Sequence, residues 1–132
     1  MFTDTPDAML VRDTFGAFGA GDFDRLSQIL ADDLVWEATG VHPLAGVYKG
    51  REDVFGFLGR AVELTEGTLA PQPIDIAGTD GRVLVRARTS GRRPDGRSVD
   101  VEEFLVIELE NGHVRQVRSL VPDAGTWNAF WA

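Results

Sequence analysis

The sequence predicts an α+β fold: helical periodicity comes first, period-two alternation follows, and tight turns separate the alternating segments. Thr5-Pro6-Asp7 supplies an N-cap, a proline for the first helical turn and an acid at the positive helix end. Leu10, Phe15 and Phe18 carry a helix to about residue 20, where Gly19 and Gly21 loosen it. Asp22 caps a second helix bearing Phe23, Leu26, Ile29 and Leu30 at helical spacing, and Ala31-Asp32-Asp33 breaks it. A strand over 34–39 and a turn over 40–46 follow. From 51 to about 65, Val54, Phe55, Leu58, Ala61, Val62 and Leu64 restore helical spacing.

Beyond Gly67 the period changes to two. Strands are expected near 69–77, 82–89, 98–110 and 113–121. Gly78-Thr79-Asp80-Gly81, Arg93-Pro94-Asp95-Gly96 and Asn111-Gly112 connect them, all with turn chemistry. From Asp123 a closing turn or short helix docks Trp127, Phe130 and Trp131. No repeat or linker interrupts this order, so one domain over 1–132 is expected.

Composition narrows the function classes. With no cysteine, disulfides, thiolate metal sites and thiol catalysis are excluded. A net charge of −8 argues against nucleic acid as a partner, because binding it means neutralising phosphates with clustered cations. The arginines gathered over 82–97 read as a solvated hairpin whose stems cover apolar neighbours. No stretch reaches the ~20 apolar residues of a membrane span, and the opening MFTDTPDAML has no basic region followed by an apolar run. A cytoplasmic protein that does not engage membranes is the expectation. His42 and His113 stand far apart with no His-x-x-x-His pair, so no metal site is expected. No glycine loop of dinucleotide or phosphate type is present either, and no cofactor is expected.

The strand over 98–110 carries the strongest chemical signal. Side chains two apart share a face. One face holds Val99, Val101, Glu103, Leu105, Ile107 and Leu109, so Glu103 is the one ionisable group in an apolar row. A carboxylate buried without a partner is costly, and its pKa rises. Such carboxyls serve general acid–base catalysis; the same burial also suits a structural acid held by an arginine or by backbone donors.

Residues 15–50, FGAFGAGDFDRLSQILADDLVWEATGVHPLAGVYKG, set aromatics, Gly-Asp, Asp-Asp and an HPLAG turn at a distinctive spacing. This pattern resembles the SnoaL-like branch of the nuclear-transport-factor-2-like superfamily, which includes ketosteroid isomerase and polyketide cyclases. The resemblance implies a cone-shaped barrel: a strongly curved, mostly antiparallel sheet wrapped on three N-terminal helices, with one internal pocket. It puts Glu103 on the face where ketosteroid isomerase carries an oxyanion-donating acid, a carboxyl that its apolar site keeps neutral. Thr14 falls where that enzyme has its catalytic tyrosine, and Ala38 where it has its base, with Glu37 one residue away on the opposite strand face.

Near the implied pocket mouth, His42 is a candidate proton shuttle and Tyr48 a candidate oxyanion donor. His42 could equally fix the turn before Pro43, and Tyr48 could simply pack on a helix. The rows that the resemblance turns inward place Trp36, Val85, Val101, Leu105, Val117, Ser119 and Val121 around the ligand. No inward lysine or arginine accompanies them, so an uncharged, apolar, ring-containing molecule is the expected partner. The outer sheet face, with Phe104 and Val106 among charges, is where relatives commonly dimerise, and a homodimer is expected. Two functions fit: a cofactor-independent isomerase, cyclase or lyase working by proton transfer, or a non-catalytic binding protein for a small apolar ligand.

Overall fold

The computed structural model describes residues 5–132. The first four residues of the segment read for a leader lie outside them. Four helices and six strands follow in the order α1 (Pro6–Ala20), α2 (Phe23–Ile29), β1 (Leu30–Ala38), β2 (Gly46–Lys49), α3 (Arg51–Leu64), β3 (Ala70–Thr79), β4 (Arg82–Arg92), β5 (Ser98–Glu110), β6 (His113–Leu120) and α4 (Ala124–Trp131). The strands form one sheet in the order β2-β1-β6-β5-β4-β3, with β2 and β3 as its edges. Every pairing is antiparallel except β1 with β6. The sheet is therefore open, and it curves over the helices as the α+β cone of the expectation.

Local chemistry sets the element ends. Thr5 accepts from the Ala8 amide at 3.2 Å to start α1, and Gly21 ends it at φ 68°, a left-handed value that suits glycine. Asp22 caps α2 through the Arg25 amide at 3.0 Å. That helix is shorter than the spacing suggests, because Leu30 already belongs to β1. Arg51, at the start of α3, donates to the carbonyls of Ser27 and Leu30 at 2.8 and 3.2 Å. It also pairs with Asp32 at 2.6 Å, tying α3 to the α2–β1 junction. The edge strand β2 was hidden in the sequence, being only four residues long and opened by a glycine.

Cross-strand register aligns the inner side chains in rows. Trp36, Val117, Ile107 and Val83 form one row across β1, β6, β5 and β4. Ala38, Ser119, Leu105 and Val85 form the next. One step further along β5 comes Glu103, opposite Ala87. Helix α1 packs on β3 and β4, and α4 packs on β5. The core divides accordingly. Val11, Leu26, Ile29, Leu34 and Val83 lie in the larger cluster, and Leu44, Val99, Val101, Val121, Phe130 and Trp131 in the smaller one under α4.

The arginines of the β4–β5 hairpin are not merely solvated. Arg93 donates to the Phe130 carbonyl at 3.1 Å, and Arg97 to the carbonyls of Ala129 and Ala132 at 3.0 and 2.6 Å. These cations meet the negative end of α4, where helix carbonyls lack internal partners. Asn128 holds the other side of α4, accepting from the Val41 amide at 2.9 Å. Helix α4 is thereby pinned over one end of the sheet.

Candidate functional site

A cavity of about 120 Å³ lies between the helices and the inner sheet face. Apolar cavities on the order of 150 Å³ admit a single aromatic ring. Helix α1 contributes Val11, Thr14, Phe15 and Phe18; α3 contributes Phe57, Leu58 and Ala61. The sheet presents Trp36, Ala38, Thr89, Glu103, Leu105 and Val117, among others, and α4 closes the site with Trp127 and Trp131.

Glu103 is the acid of this wall. It lines the cavity, and no ion pair reaches it among the described residues. Thr89 Oγ1 donates to Glu103 Oε1 at 2.8 Å. Desolvation pushes the carboxyl up to about 7, while the Thr89 hydrogen bond acts in the opposite direction. Burial wins because one neutral hydroxyl replaces only part of the lost hydration. A carboxyl poised there can give or take a proton at neutral pH.

His42 lines the cavity beside α4, its ring centroid 6.4 Å from that of Trp131. The Leu44 amide donates to His42 Nδ1 at 3.1 Å, which assigns the neutral tautomer with its proton on Nε2. Burial holds its pKa below the usual value, and the Thr39 carbonyl opposes that shift without making an aligned hydrogen bond to Nε2. Gly40 makes room for this ring. A Cβ there would come within 2.8 Å of His42 Cδ2 and 2.9 Å of Asn128 Oδ1, and its φ of 136° disfavours any side chain.

Of the other expected site residues, Trp36, Leu105, Val117 and Ser119 line the cavity. Tyr48, Val85, Val101 and Val121 do not. Tyr48 stacks on Phe57 at 4.4 Å and donates its hydroxyl to the Leu44 carbonyl at 2.8 Å, so Phe57 takes the place on the wall. Val85 stands at the end of its row where α1 packs on the sheet. Val101 and Val121 are covered by Phe130 and Trp131, because α4 fills that end.

The isomerase-type positions are chemically weak here. Thr14 reaches the cavity, but its hydroxyl donates to the Leu10 carbonyl at 2.8 Å. Ala38 carries no proton-transfer group. Glu37 lies on the outer face, paired with Arg118 at 2.9 Å.

Thr89 and Trp131 were missed by the sequence reading. Thr89 had a legible signal, as the hydroxyl closing the apolar row Val83, Val85, Ala87. Trp131 had none beyond its hydrophobicity, since nothing local says where the last helix docks. Among the described residues, no group of three or more His, Asp or Glu could hold a metal ion, and no helix is long and apolar enough to cross a membrane.

This pocketed cone over an open six-stranded sheet defines a class, and comparison gives the family. Residues 11–117 match the SnoaL-like domain, and the chain belongs to that family. Uncharacterized protein Rv0034 of Mycobacterium tuberculosis is 33% identical over 131 residues, spanning 98% of this chain and 99% of the relative. Bal32a, from a soil-derived mobile gene cassette, superposes with a TM-score of 0.93 at 32% identity, over 96% of this chain and 97% of its own. An NTF2-like protein from Burkholderia xenovorans LB400 shares the fold, with a TM-score of 0.84 at 23% identity over 100% of both chains.

Proposed function

We propose that the protein binds a small, largely apolar, ring-containing molecule in this cavity, in the cytoplasm, and that Glu103 moves a proton on it. The observation that carries this reading is Glu103 itself, an acid raised to about 7 and the sole carboxyl on a largely apolar wall. As its carboxylate, Glu103 takes a proton from a carbon beside a ring carbonyl. The C–H bond breaks, an O–H bond forms on Glu103, and the electron pair passes into an enolate. Where a C=C bond is conjugated with the enolate, return of the proton at its far carbon shifts the double bond and isomerises the ligand. For cyclisation the enolate carbon attacks a second carbonyl of the same molecule; a C–C bond forms, that C=O π bond breaks, and the alkoxide takes the proton back from Glu103. Neither route needs a cofactor. His42, neutral and protonated on Nε2, is the other titratable group on the same wall.

A non-catalytic binding protein is the second reading, and one observation favours it. Thr89 is the sole side-chain hydrogen-bond partner of Glu103 among the described residues, so no second titratable group is in direct contact with it. Proton exchange separates the two readings. Acetophenone in D₂O should exchange its methyl protons faster with the protein than without it, and Glu103→Gln should bind the ketone yet lose the acceleration. Binding without faster exchange in the wild type leaves the binding reading standing and removes the catalytic one.

We infer further that two copies pair through the outer sheet face. Leu84 and Leu120 are 52% and 43% exposed there, next to Val106 and Phe104 by strand register. Ion pairs within the chain, Arg82 with Glu108 and Arg118 with Glu37, flank this apolar stripe. A symmetric pairing covers it on both copies at once. Sedimentation at micromolar concentration should report a dimer that Leu84→Glu dissociates; a wild-type monomer would remove the idea.

A further inference from the structure

Three buried side-chain nitrogens have no hydrogen-bond partner among the described residues: Trp36 Nε1, His42 Nε2 and Trp131 Nε1. A few such groups per hundred residues are ordinary, so their number means little. Their location means more, because all three side chains line the same cavity. All three are donors. Indole nitrogens only donate, and His42 Nε2 carries the proton because Nδ1 accepts from the Leu44 amide.

The acceptors of this cavity are few and partly committed. Glu103 already accepts from Thr89, and the Thr14 hydroxyl is spent on the Leu10 carbonyl. Glu103 Oε2 and the Ser119 hydroxyl are the other acceptors of the wall, neither of them bonded to the three nitrogens, and no lysine or arginine side chain stands on it. Neutral donors in apolar surroundings favour an acceptor oxygen, not a strongly charged anion.

We propose that Trp36, His42 and Trp131 are ligand-binding residues whose N–H groups receive the oxygen atoms of a ring-bearing carbonyl compound. The inference rests on the small-molecule pocket proposed above and names the polarity of its ligand. His42 and Trp131, with ring centroids 6.4 Å apart, make the donor end next to α4. Trp36 sits on β1 and packs against Phe57 at 5.8 Å, giving a separate donor position. Each nitrogen is covered by neighbouring atoms, so a ligand oxygen reaches it only when the ring turns about its side-chain torsions. His42 thus serves as a hydrogen-bond donor and not as a shuttle, since releasing the Nε2 proton would end that role.

Acetophenone and isopropylbenzene test this, being similar in size, the second carrying a methyl group and a hydrogen where the first carries its carbonyl oxygen. In a wall without available donors, isopropylbenzene binds more tightly, because burying an unpaired carbonyl is costly. With donors, the order reverses, and acetophenone should bind about tenfold more tightly for one neutral hydrogen bond. Indole N–H resonances report the contact directly, with Trp36→Phe and Trp131→Phe assigning them. Acetophenone should move the Trp36 or Trp131 indole proton downfield and leave that of Trp127 in place. Isopropylbenzene should move neither downfield. Tighter binding of isopropylbenzene, or acetophenone binding with no downfield change, would overturn the donor assignment while preserving the apolar pocket. Failure of both molecules to bind would overturn the pocket reading and the donor assignment with it.

Discussion

Replacing Glu103 with glutamine is expected to stabilise the protein at pH 8 by up to about 3 kcal/mol and to leave it nearly unchanged at pH 4. The unfolded chain releases this proton near the ordinary value of 4.5, whereas the folded protein holds it to about 7. Between those values the folded state binds more protons than the unfolded one, so wild-type stability falls as pH rises through the window. Each pH unit of the gap is worth about 1.4 kcal/mol. Above the window the loss is complete and constant. Glutamine keeps the shape, still accepts from Thr89 and has no charge to desolvate. Urea midpoints of both proteins at pH 4, 6 and 8 measure the effect. A variant less stable than wild type at pH 8 would mean that the folded state favours the carboxylate, and Glu103 would then be a structural acid. The expected result instead makes Glu103 a residue kept at a cost to stability, which is common where chemistry or binding needs it.

Trp131→Ala should be the more damaging change, costing about 3–5 kcal/mol at every pH. The indole is 3% exposed and packs on Phe130 at 4.8 Å and Trp127 at 5.5 Å, over Val101 and Val121. Removing it loses that burial and joins a new void to the cavity, because α4 is pinned by Arg93, Arg97 and Asn128 and collapses only partly. Val41→Ala, at a residue 85% exposed on the neighbouring turn, should cost almost nothing. Denaturant midpoints of the two variants, compared side by side, check the contrast. Equal small losses would show that α4 does not bear on the fold and that Trp131 is not part of a packed wall.

Most of the fold was legible in the sequence because its signals are local. The N-cap at Thr5, the cap at Asp22 and the Asn111-Gly112 turn each determine a backbone geometry within a few residues. Alternation in β5 likewise specified which face is buried, and so exposed Glu103 as the odd member of an apolar row. That single reading carried through to the cavity. The sequence by itself thus determined the order of the elements other than β2, the buried faces and the chemical identity of the acid.

Tertiary structure decided which buried residues line the cavity. Val85, Val101 and Val121 obey the same alternation as Leu105 and Val117, yet helices α1 and α4 cover the first three while the last two open onto the cavity. Periodicity reports a face, not what lies against it. The partner of Glu103 required strand register, since Thr89 lies on a neighbouring strand one inner row from Ala87, the residue opposite the acid. Tyr48 was lost to the site for a related reason: a four-residue edge strand placed it behind Phe57. The unpartnered nitrogens of Trp36, His42 and Trp131 depend on contacts among residues up to 95 positions apart, counting from 36 to 131. No local pattern encodes the absence of an acceptor, because that absence is a property of the whole packed wall.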